Sequence, residues 1–397
     1  TYTLINYSGT LTGKFTLGGN ELDDGESFSY GGRFWGIDYD AASGGANYAS
    51  EHSMAKFVNL VALDDEAIWD GETHGRWDTG SNWLDDIVPV ENRILTFTGE
   101  ANTTTTNDIT AGTTFGGLIF ANDGSANSNA AFRLTGNSIV LAGGVTNAVM
   151  ASGSLTNRID LDMEISGNRT FTINTSHDLD VYGSISGDRI TKKGVATMDL
   201  YAANTYDGFD VAGDYLRVFH NDALGTSNSL ADTGARIEIG NGITAAGPLT
   251  VSNTNGNKTL QMEAGSSMTA TYAGDITIEE TTGDNFDVNP NDNSGNNWSY
   301  NQVFTISGQI TDGTTHINTG ANAIDINSRG VLELTNPNND FTGNIRCNVA
   351  GSTLRISNDA ALSSATIKLN HTATKVRLAN GVNVDNAIVF NNANNAK

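Results

Sequence analysis

Cysteine is almost absent from this sequence. Cys347 is the only one in 397 residues, so the chain cannot form an internal disulfide. It lies in the run GNIRCNVAG, a predicted strand, which favours a buried structural thiol over a reactive one. Proline is also rare, with 4 residues, and 17% of the residues are charged. This composition does not fit a proline-rich or highly charged disordered chain.

Basic residues are the second shortage. The chain has 21 Lys and Arg against 45 Asp and Glu, a formal net charge of −24 with no basic cluster, which argues against a nucleic-acid partner. The acidity serves either solubility or the binding of divalent cations by Asp- and Asn-rich loops. No apolar run is long enough for a transmembrane helix, so we expect no membrane insertion. The start at Thr1 without Met predicts a processed or excised piece.

Recognisable catalytic motifs are missing as well. The six His residues are scattered, with no HExxH motif and no pair at metal-ligand spacing. There is no GxSxG motif, and Cys347 has no His close to it in the sequence. We therefore predict that the chain is not an enzyme and that Ca²⁺ is its one candidate cofactor.

Short alternating strands fill the sequence from about Arg93 onward. Polar residues separate Ile159, Leu161, Met163 and Ile165, which places these four side chains on one face. Corners such as SGN, SGD and TGN recur roughly every ten residues. The pattern predicts an all-β chain, for which sandwiches, a propeller or a parallel β-solenoid are open. The short corners favour the solenoid, with roughly 20 to 25 residues per coil and about a dozen coils, in which Asn side chains can form ladders at the bends.

Two segments of the chain resemble each other, residues 190–225 and 330–363. Both contain an apolar strand, an Asn-aromatic-x-Gly turn and a Leu-Arg-Val/Ile strand, followed by an Asp-Ala-Leu turn or a close variant of it. Asn and Gly suit the turn dihedrals, and the aromatic ring covers the coil core. The equivalent pairs are Asn204 and Asn339, Tyr206 and Phe341, Gly208 and Gly343, Leu216 and Leu354, and Arg217 and Arg355.

The first segment, ITKKGVATMDLYAANTYDGFDVAGDYLRVFHNDALG, resembles the autotransporter-associated β-strand repeat of bacterial surface and secreted proteins. The resemblance implies a right-handed parallel β-helix, an extracellular location and structural or adhesive work. The family more often has a Gly-rich KTGxGTLxL run where this chain has KKGVATMDL. The run AIWDGETHGRWDTGSNWLDDIVPVENRILTFTG is similar to the module that precedes such solenoids, and residues 1–63 resemble the segment that usually finishes them. We therefore expect an N-terminal β region at 1–66, a Trp-rich capping module at 67–92 and a parallel β-solenoid at 93–397.

Aromatic residues mark two candidate interaction sites. Trp69, Trp77 and Trp83 either close the end of the apolar core or offer flat faces on which sugars stack. Trp298 and Tyr300 lie beside a long polar loop, and such loops often form the interaction face of a solenoid.

The same loop, residues 281–301, is rich in hard oxygen ligands of the kind that Ca²⁺ prefers. It lacks the spacing and the closing Glu of an EF-hand, so a solvated excursion from one coil is the alternative. The candidate Ca²⁺ ligands are Asp284, Asp287, Asn289 and Asp292.

These features predict an extracellular structural protein whose copies assemble head-to-tail into a surface fibre. The basis is the far end, GVNVDNAIVFNNANNAK, which stops on a strand-like run and would leave apolar interior and strand edges open. Either the chain is one stretch of a much longer repetitive protein, or this end docks on the start of a neighbour. An adhesin that binds surface carbohydrate or cells is the first alternative. A polysaccharide lyase or hydrolase is the second, because carboxylates along outer faces could line a cleft. A solvated strand has the same pattern, and no Arg or Lys recurs among these carboxylates, which argues against catalysis. These carboxylates are Asp160, Asp162, Glu164, Asp178 and Asp180.

Overall fold

The protein is all-β, and its parallel sheets form a β-solenoid of about 11 turns, which confirms the predicted fold class. The chain forms two compact units, Thr1–Glu164 and Ile165–Lys397. Within the described residues the one helical element is a 3₁₀ turn, Gly80–Asn82. A computed structural model describes residues 2–8, 10–22, 27–30, 33–41, 56–63, 65–84, 86–121, 130–148, 155–174, 177–252, 254, 256–263, 267–279, 286–291, 301–314 and 322–391.

The first unit begins with antiparallel strands. Four of them form a sheet in the order β1-β6-β5-β4, and β2 pairs with β3 as a separate two-stranded sheet. Leu22, Ile37, Tyr39 and Val58 form the buried core of this region. The strands are β1 (Tyr2–Tyr7), β2 (Thr16–Leu17), β3 (Asn20–Glu21), β4 (Ser27–Tyr30), β5 (Arg33–Ala41) and β6 (Lys56–Leu63).

Parallel pairing begins inside the segment predicted as a cap. The strand at Glu66–Trp69 pairs in parallel with the strand at Ile94–Phe97, so the solenoid starts before residue 93 and residues 70–93 connect its first two strands. The parallel strands that begin in the first unit are β7 (Glu66–Trp69), β8 (Ile94–Phe97), β9 (Thr104–Asn107), β10 (Thr113–Phe115), β11 (Gly117–Phe120), β12 (Arg133–Gly136), β13 (Ile139–Leu141), β14 (Val145–Asn147), β15 (Leu155–Ile159) and β16 (Met163–Ile165).

The second unit repeats short strands throughout its length. They are β17 (Arg169–Ile173), β18 (His177–Val181), β19 (Ile185–Gly187), β20 (Ile190–Lys193), β21 (Met198–Leu200), β22 (Phe209–Ala212), β23 (Asp214–Val218), β24 (Ser229–Ala231), β25 (Ala235–Ile239), β26 (Thr244–Ala245), β27 (Leu249–Val251), β28 (Lys258–Met262), β29 (Thr269–Tyr272), β30 (Ile276–Ile278), β31 (Phe286–Asn289), β32 (Val303–Ile306), β33 (Ile310–Asp312), β34 (Asn322–Ile326), β35 (Gly330–Leu334), β36 (Asn344–Cys347), β37 (Ser352–Ile356), β38 (Thr366–Leu369), β39 (Lys375–Leu378) and β40 (Ile388–Phe390).

Three parallel sheets wrap the core of the second unit. Sheet A contains β17-β20-β22-β24-β27-β30-β33, sheet B contains β18-β21-β23-β25-β28-β31-β34-β36-β38-β40, and sheet C contains β26-β29-β32-β35-β37-β39. Parallel neighbours cannot be joined as a hairpin. Each strand therefore forms its backbone hydrogen bonds with the equivalent strands of the coils before and after it.

Apolar side chains stack in columns inside these sheets. Alternate residues of a strand point inward, and the in-register pairing places each above its equivalent in the previous coil. The four alternating residues at 159–165 are all buried, as expected. One inward column of sheet B is Leu179, Met198, Leu216, Ile237, Leu260 and Val288.

Coil length varies more than the sequence predicted. The register of sheet B advances by 18 residues from Met198 to Leu216 and by 38 residues from Asp287 to Asp325. Parallel pairing requires only that the strands of successive coils align in register. The segments that connect the strands can therefore differ in length at little cost in free energy.

An asparagine at the turn clamps neighbouring coils in both copies of the internal repeat. The Asn204 carbonyl oxygen accepts a hydrogen bond from the Ile185 backbone N–H at 2.8 Å, and its amide donates to the Ala223 carbonyl at 2.9 Å. Asn339 does the same with Ile310 at 2.8 Å. Its amide reaches the Ala361 carbonyl at 2.7 Å. The repeat is therefore equivalent in contacts as well as in sequence.

The remaining repeat positions follow the predicted roles. Tyr206 and Phe341 are fully buried, and Gly208 and Gly343 have φ values of 92° and 97°, which only glycine adopts at low cost. Cys347 is buried, and burial raises the pKa of its thiol to about 12. Its burial and its raised pKa both agree with the expected structural, unreactive thiol.

The clamp predicts a measurable loss of stability. Asn204→Ala leaves a buried N–H and a buried carbonyl without their partners, and the free energy of unfolding should fall by about 1 to 3 kcal/mol. Asn339→Ala should have an effect of similar size. The midpoint of urea unfolding, followed by circular dichroism, measures both.

Asn168→Ala is the matched control, because Asn168 is exposed and its change should lie within about 0.5 kcal/mol of the wild type. A midpoint for Asn204→Ala equal to that of the control would contradict the clamp.

Candidate functional site

The three tryptophans of the predicted capping module lie in the core. Trp69, Trp77 and Trp83 are 0%, 0% and 1% exposed. The rings of Trp69 and Trp83 meet edge to face at 5.1 Å, and Trp77 lies 5.4 Å from Phe97. Their packing against the first parallel strands favours the capping alternative, because no face of these indoles is open to a sugar.

Hydrogen bonds fix each indole in place. Trp77 Nε1 donates to Thr105 Oγ1 at 2.8 Å, and Trp83 Nε1 donates to the Trp77 carbonyl at 3.0 Å. Buried tryptophans need such partners for their N–H groups. Asn82 holds the surrounding loop, since its side-chain oxygen accepts the His74 backbone N–H at 3.1 Å and its amide donates to the Arg76 carbonyl at 2.8 Å.

The N-terminal antiparallel sheet packs on this same module within one chain. A Cβ placed on Gly36 of β5 would lie 2.4 Å from Cδ1 of Ile87. Glycine at position 36 therefore makes room for the buried Ile87 side chain, and β5 contacts residue 87 of its own molecule at this point.

On the outer face of sheet B, carboxylates pair with arginines one coil further along. Arg217 binds Asp199 through two hydrogen bonds of 2.7 and 2.8 Å, and Arg346 binds Asp325 in the same bidentate manner. Asp199 and Asp325 are 2% and 0% exposed. Burial raises the pKa of Asp199 to about 6 although Arg217 opposes the shift. Each of these ion pairs joins one coil to the next, between residues that are about one coil apart in the sequence.

Asp287, a predicted Ca²⁺ ligand, belongs to this polar face. It lies next to Asp325 in the register of sheet B, and its Oδ1 accepts a 2.7 Å hydrogen bond from the Asn327 amide. Burial, helped by the Asp325 carboxylate, raises the pKa of Asp287 to about 7. The neighbouring Asn289 oxygen accepts the Asn327 backbone N–H at 2.9 Å. Both side chains already hold donors from the next coil.

The other two predicted Ca²⁺ ligands, Asp284 and Asp292, lie outside the described residues. The predicted contact residues Trp298 and Tyr300 also lie outside them. Among the described residues, no group of three or more His, Cys, Asp or Glu side chains is arranged to hold a metal ion. The Ca²⁺ site and the Trp298 contact site stay predictions.

An asparagine ladder continues from Asp287 toward the last coil. The amide of Asn348 donates to the Asn327 oxygen at 2.8 Å, Asn370 donates to Asn348 at 2.7 Å, and Asn391 donates to Asn370 at 2.9 Å. The expected ladder is present, and every rung donates in the same direction. Its last carbonyl oxygen, on the exposed Asn391, is therefore the acceptor for any following rung.

The carboxylates considered for catalysis alternate with buried apolar residues, as expected, but arginines hold one of them. Asp160 accepts hydrogen bonds from the side chains of Arg133 and Arg158, whereas the sequence analysis found no basic residue recurring there. The register that brings Arg133 opposite Arg158 was not readable from spacing. Asp162 and Glu164 are exposed.

A stack of aromatic rings was missed by the sequence analysis. Tyr182, Tyr201 and Phe219 follow three successive strands of sheet B, and their rings are stacked at 4.1 and 4.8 Å with interplanar angles of 8°. The stack ends at Gly240, where a Cβ would lie 2.7 Å from the Phe219 ring. The repeated aromatic after each strand was visible in the sequence once the coil period was known.

The raised pKa of Asp287 predicts a pH dependence. Its pKa is about 7 in the folded protein, against an ordinary value of 3.8, so the folded state binds the proton more tightly. Stability should therefore fall as the pH rises from about 4 to about 7. Asp287→Asn cannot ionise and should flatten this part of the profile, measured as the urea midpoint at each pH.

Asp207→Asn, at an exposed position, serves as the control and should keep the wild-type profile. An Asp287→Asn profile that falls as steeply as that of the wild type would contradict the assignment.

No helix among the described residues has the length and apolar character of a membrane span. No protein-family model, curated protein or solved structure matches this chain. The resemblance of residues 190–225 to the autotransporter-associated repeat therefore rests on the residues themselves.

Proposed function

We propose that this chain is a structural β-solenoid of a bacterial surface or secreted fibre, and that its copies assemble head-to-tail. The observation that supports the proposal is the exposure of core-column side chains on the last described coil. Leu378, Ile388 and Phe390 are 47%, 42% and 78% exposed. The extracellular location rests on the resemblance of residues 190–225 to a family of exported proteins.

These exposed side chains belong to core columns. Ile388 and Phe390 stand in register with the buried Ile367 and Leu369, and Leu378 stands in register with the buried Ile356. In the preceding coils the same columns are covered by the next coil. A further layer on this end would bury them and continue the Asn391 ladder.

A second copy of the chain is the occupant that the charges favour. Residues 364–391 contain three basic residues, Lys368, Lys375 and Arg377, and one acidic residue. Residues 1–66 contain three basic and ten acidic residues. The edge strand β1 of that first segment also exposes Tyr2 and Leu4. An acidic segment whose edge strand exposes apolar side chains complements the basic residues and exposed apolar side chains of the last described coil.

Head-to-tail association should be concentration-dependent and should require the open core columns. Phe390→Asp places a charge where a stacked layer would bury a ring worth about 1.5 to 3 kcal/mol, so the dissociation constant should rise at least about tenfold. Leu4→Asp on β1 should weaken association in the same direction. Sedimentation equilibrium over a wide concentration range measures both.

Val389→Asp is the matched control on the same strand, because Val389 is exposed but stands in register with the outward-facing Lys368. It should leave the association constant close to that of the wild type. A wild-type chain that stays monomeric at every concentration would contradict the proposal, as would equal losses in Phe390→Asp and Val389→Asp.

A further inference from the structure

A groove with two arginines crosses the outer face of sheet C. It has a volume of about 460 Å³, and its lining includes Arg355, Arg377, Val303, Val331, Asn301 and Asn380. This volume is within the usual range for small-ligand pockets, roughly 300 to 1,000 Å³. We propose that the groove binds an acidic oligosaccharide, a sugar chain that carries carboxylate or sulfate groups.

The two arginines are held at a fixed spacing by the sheet. Arg355 of β37 and Arg377 of β39 stand in register on adjacent coils, so their Cα atoms are about 4.8 Å apart. Arg355 Nε lies 3.3 Å from Glu333 Oε1. Arg377 is exposed and has no ion-pair partner among the described residues, so one full positive charge faces the groove.

This unmatched cation departs from the pattern of the other coils. The described columns pair an acid with the arginine of the next coil at Asp199 and Arg217, and at Asp325 and Arg346. In the column of Glu333 and Arg355, a second arginine follows the first. Two guanidinium groups together form a fork of N–H donors that suits planar carboxylates and sulfates.

The remaining lining explains why the ligand is a sugar. Val331 is 6% exposed and Val303 is half-buried, and they give the groove an apolar floor. Asn301 and Asn380 add amide donors and acceptors at its edge. A saccharide offers an apolar C–H face and hydroxyl groups as well as its anionic substituent. A small inorganic anion would contact the arginines and leave most of the volume unused.

The charge of the whole chain limits the ligand to a low charge density. With a net charge of −24, the protein repels a nucleic acid, whose backbone carries one negative charge per roughly 1.7 Å of duplex. An oligosaccharide with one anionic group per one or two sugars needs only the two arginines. Leu378 lines the groove and also belongs to an open core column, so binding is measured at protein concentrations below those at which copies associate.

Isothermal titration of the full chain tests the site with three tetrasaccharides. The first is from hyaluronan, with carboxylates and no sulfates, the second is a sulfated tetrasaccharide from carrageenan, and the third is neutral cellotetraose. One or both anionic probes should bind, and cellotetraose should not. The comparison of the two anionic probes identifies which group the arginines select.

Arg377→Gln should weaken binding of the preferred probe about tenfold, as expected for a lost charge-assisted hydrogen bond. Arg377→Lys keeps the charge without the planar fork and should fall between Arg377→Gln and the wild type. Arg169→Gln, at a position outside the groove, is the control and should bind like the wild type. The urea midpoint of Arg377→Gln should equal that of the wild type, because Arg377 is exposed.

Three results would each overturn the proposal. They are binding of cellotetraose as strong as that of the anionic probes, an affinity unchanged by Arg377→Gln, and no binding of either anionic probe at millimolar concentration.

Discussion

In-register stacking of parallel strands is the constraint on which this structure depends. Each residue stands about 4.8 Å above its equivalent in the previous coil, so every property of a position is repeated along a column. Inside, the repetition produces continuous apolar columns such as the one from Leu179 to Val288. Outside, like charges would stand directly above one another and destabilise the sheet. The outer columns contain acid–arginine pairs, stacked aromatic rings and the Asn327 to Asn391 ladder, which avoid this repulsion.

The same constraint explains where the described coils are incomplete. Burial raises the pKa of Asp287, and its column neighbour Asp325, a second carboxylate, adds to the shift. Arg377 follows another arginine and therefore keeps an unneutralised charge. Ile388 and Phe390 extend core columns and are exposed to solvent in the described part of the chain. In a stacked fold, positions whose column neighbour does not neutralise or cover them are the places where a ligand, a proton or another molecule can be accommodated.

Much of the fold was readable from the sequence, because alternation and turn chemistry are local. The alternation at residues 159–165, the Asn204 and Asn339 turns and the buried Cys347 needed no knowledge of the register. The pairs Asp199–Arg217 and Asp160–Arg133 did need it, since coil length varies and spacing alone does not show which residues become neighbours. The first parallel strand, β7, was assigned to the cap because tryptophans dominate its surroundings. The groove beside Arg377 combines residues from four strands, and no local pattern marks it.

Electron microscopy of the purified chain tests the central claim most directly, because it shows whether the open core columns receive a second copy. Head-to-tail association should give filaments or end-to-end chains at high protein concentration, in which the last described coil, β38–β40, of one molecule meets the N-terminal segment of the next. Isolated single molecules at the same concentration, with Ile388 and Phe390 still open to solvent, would contradict it.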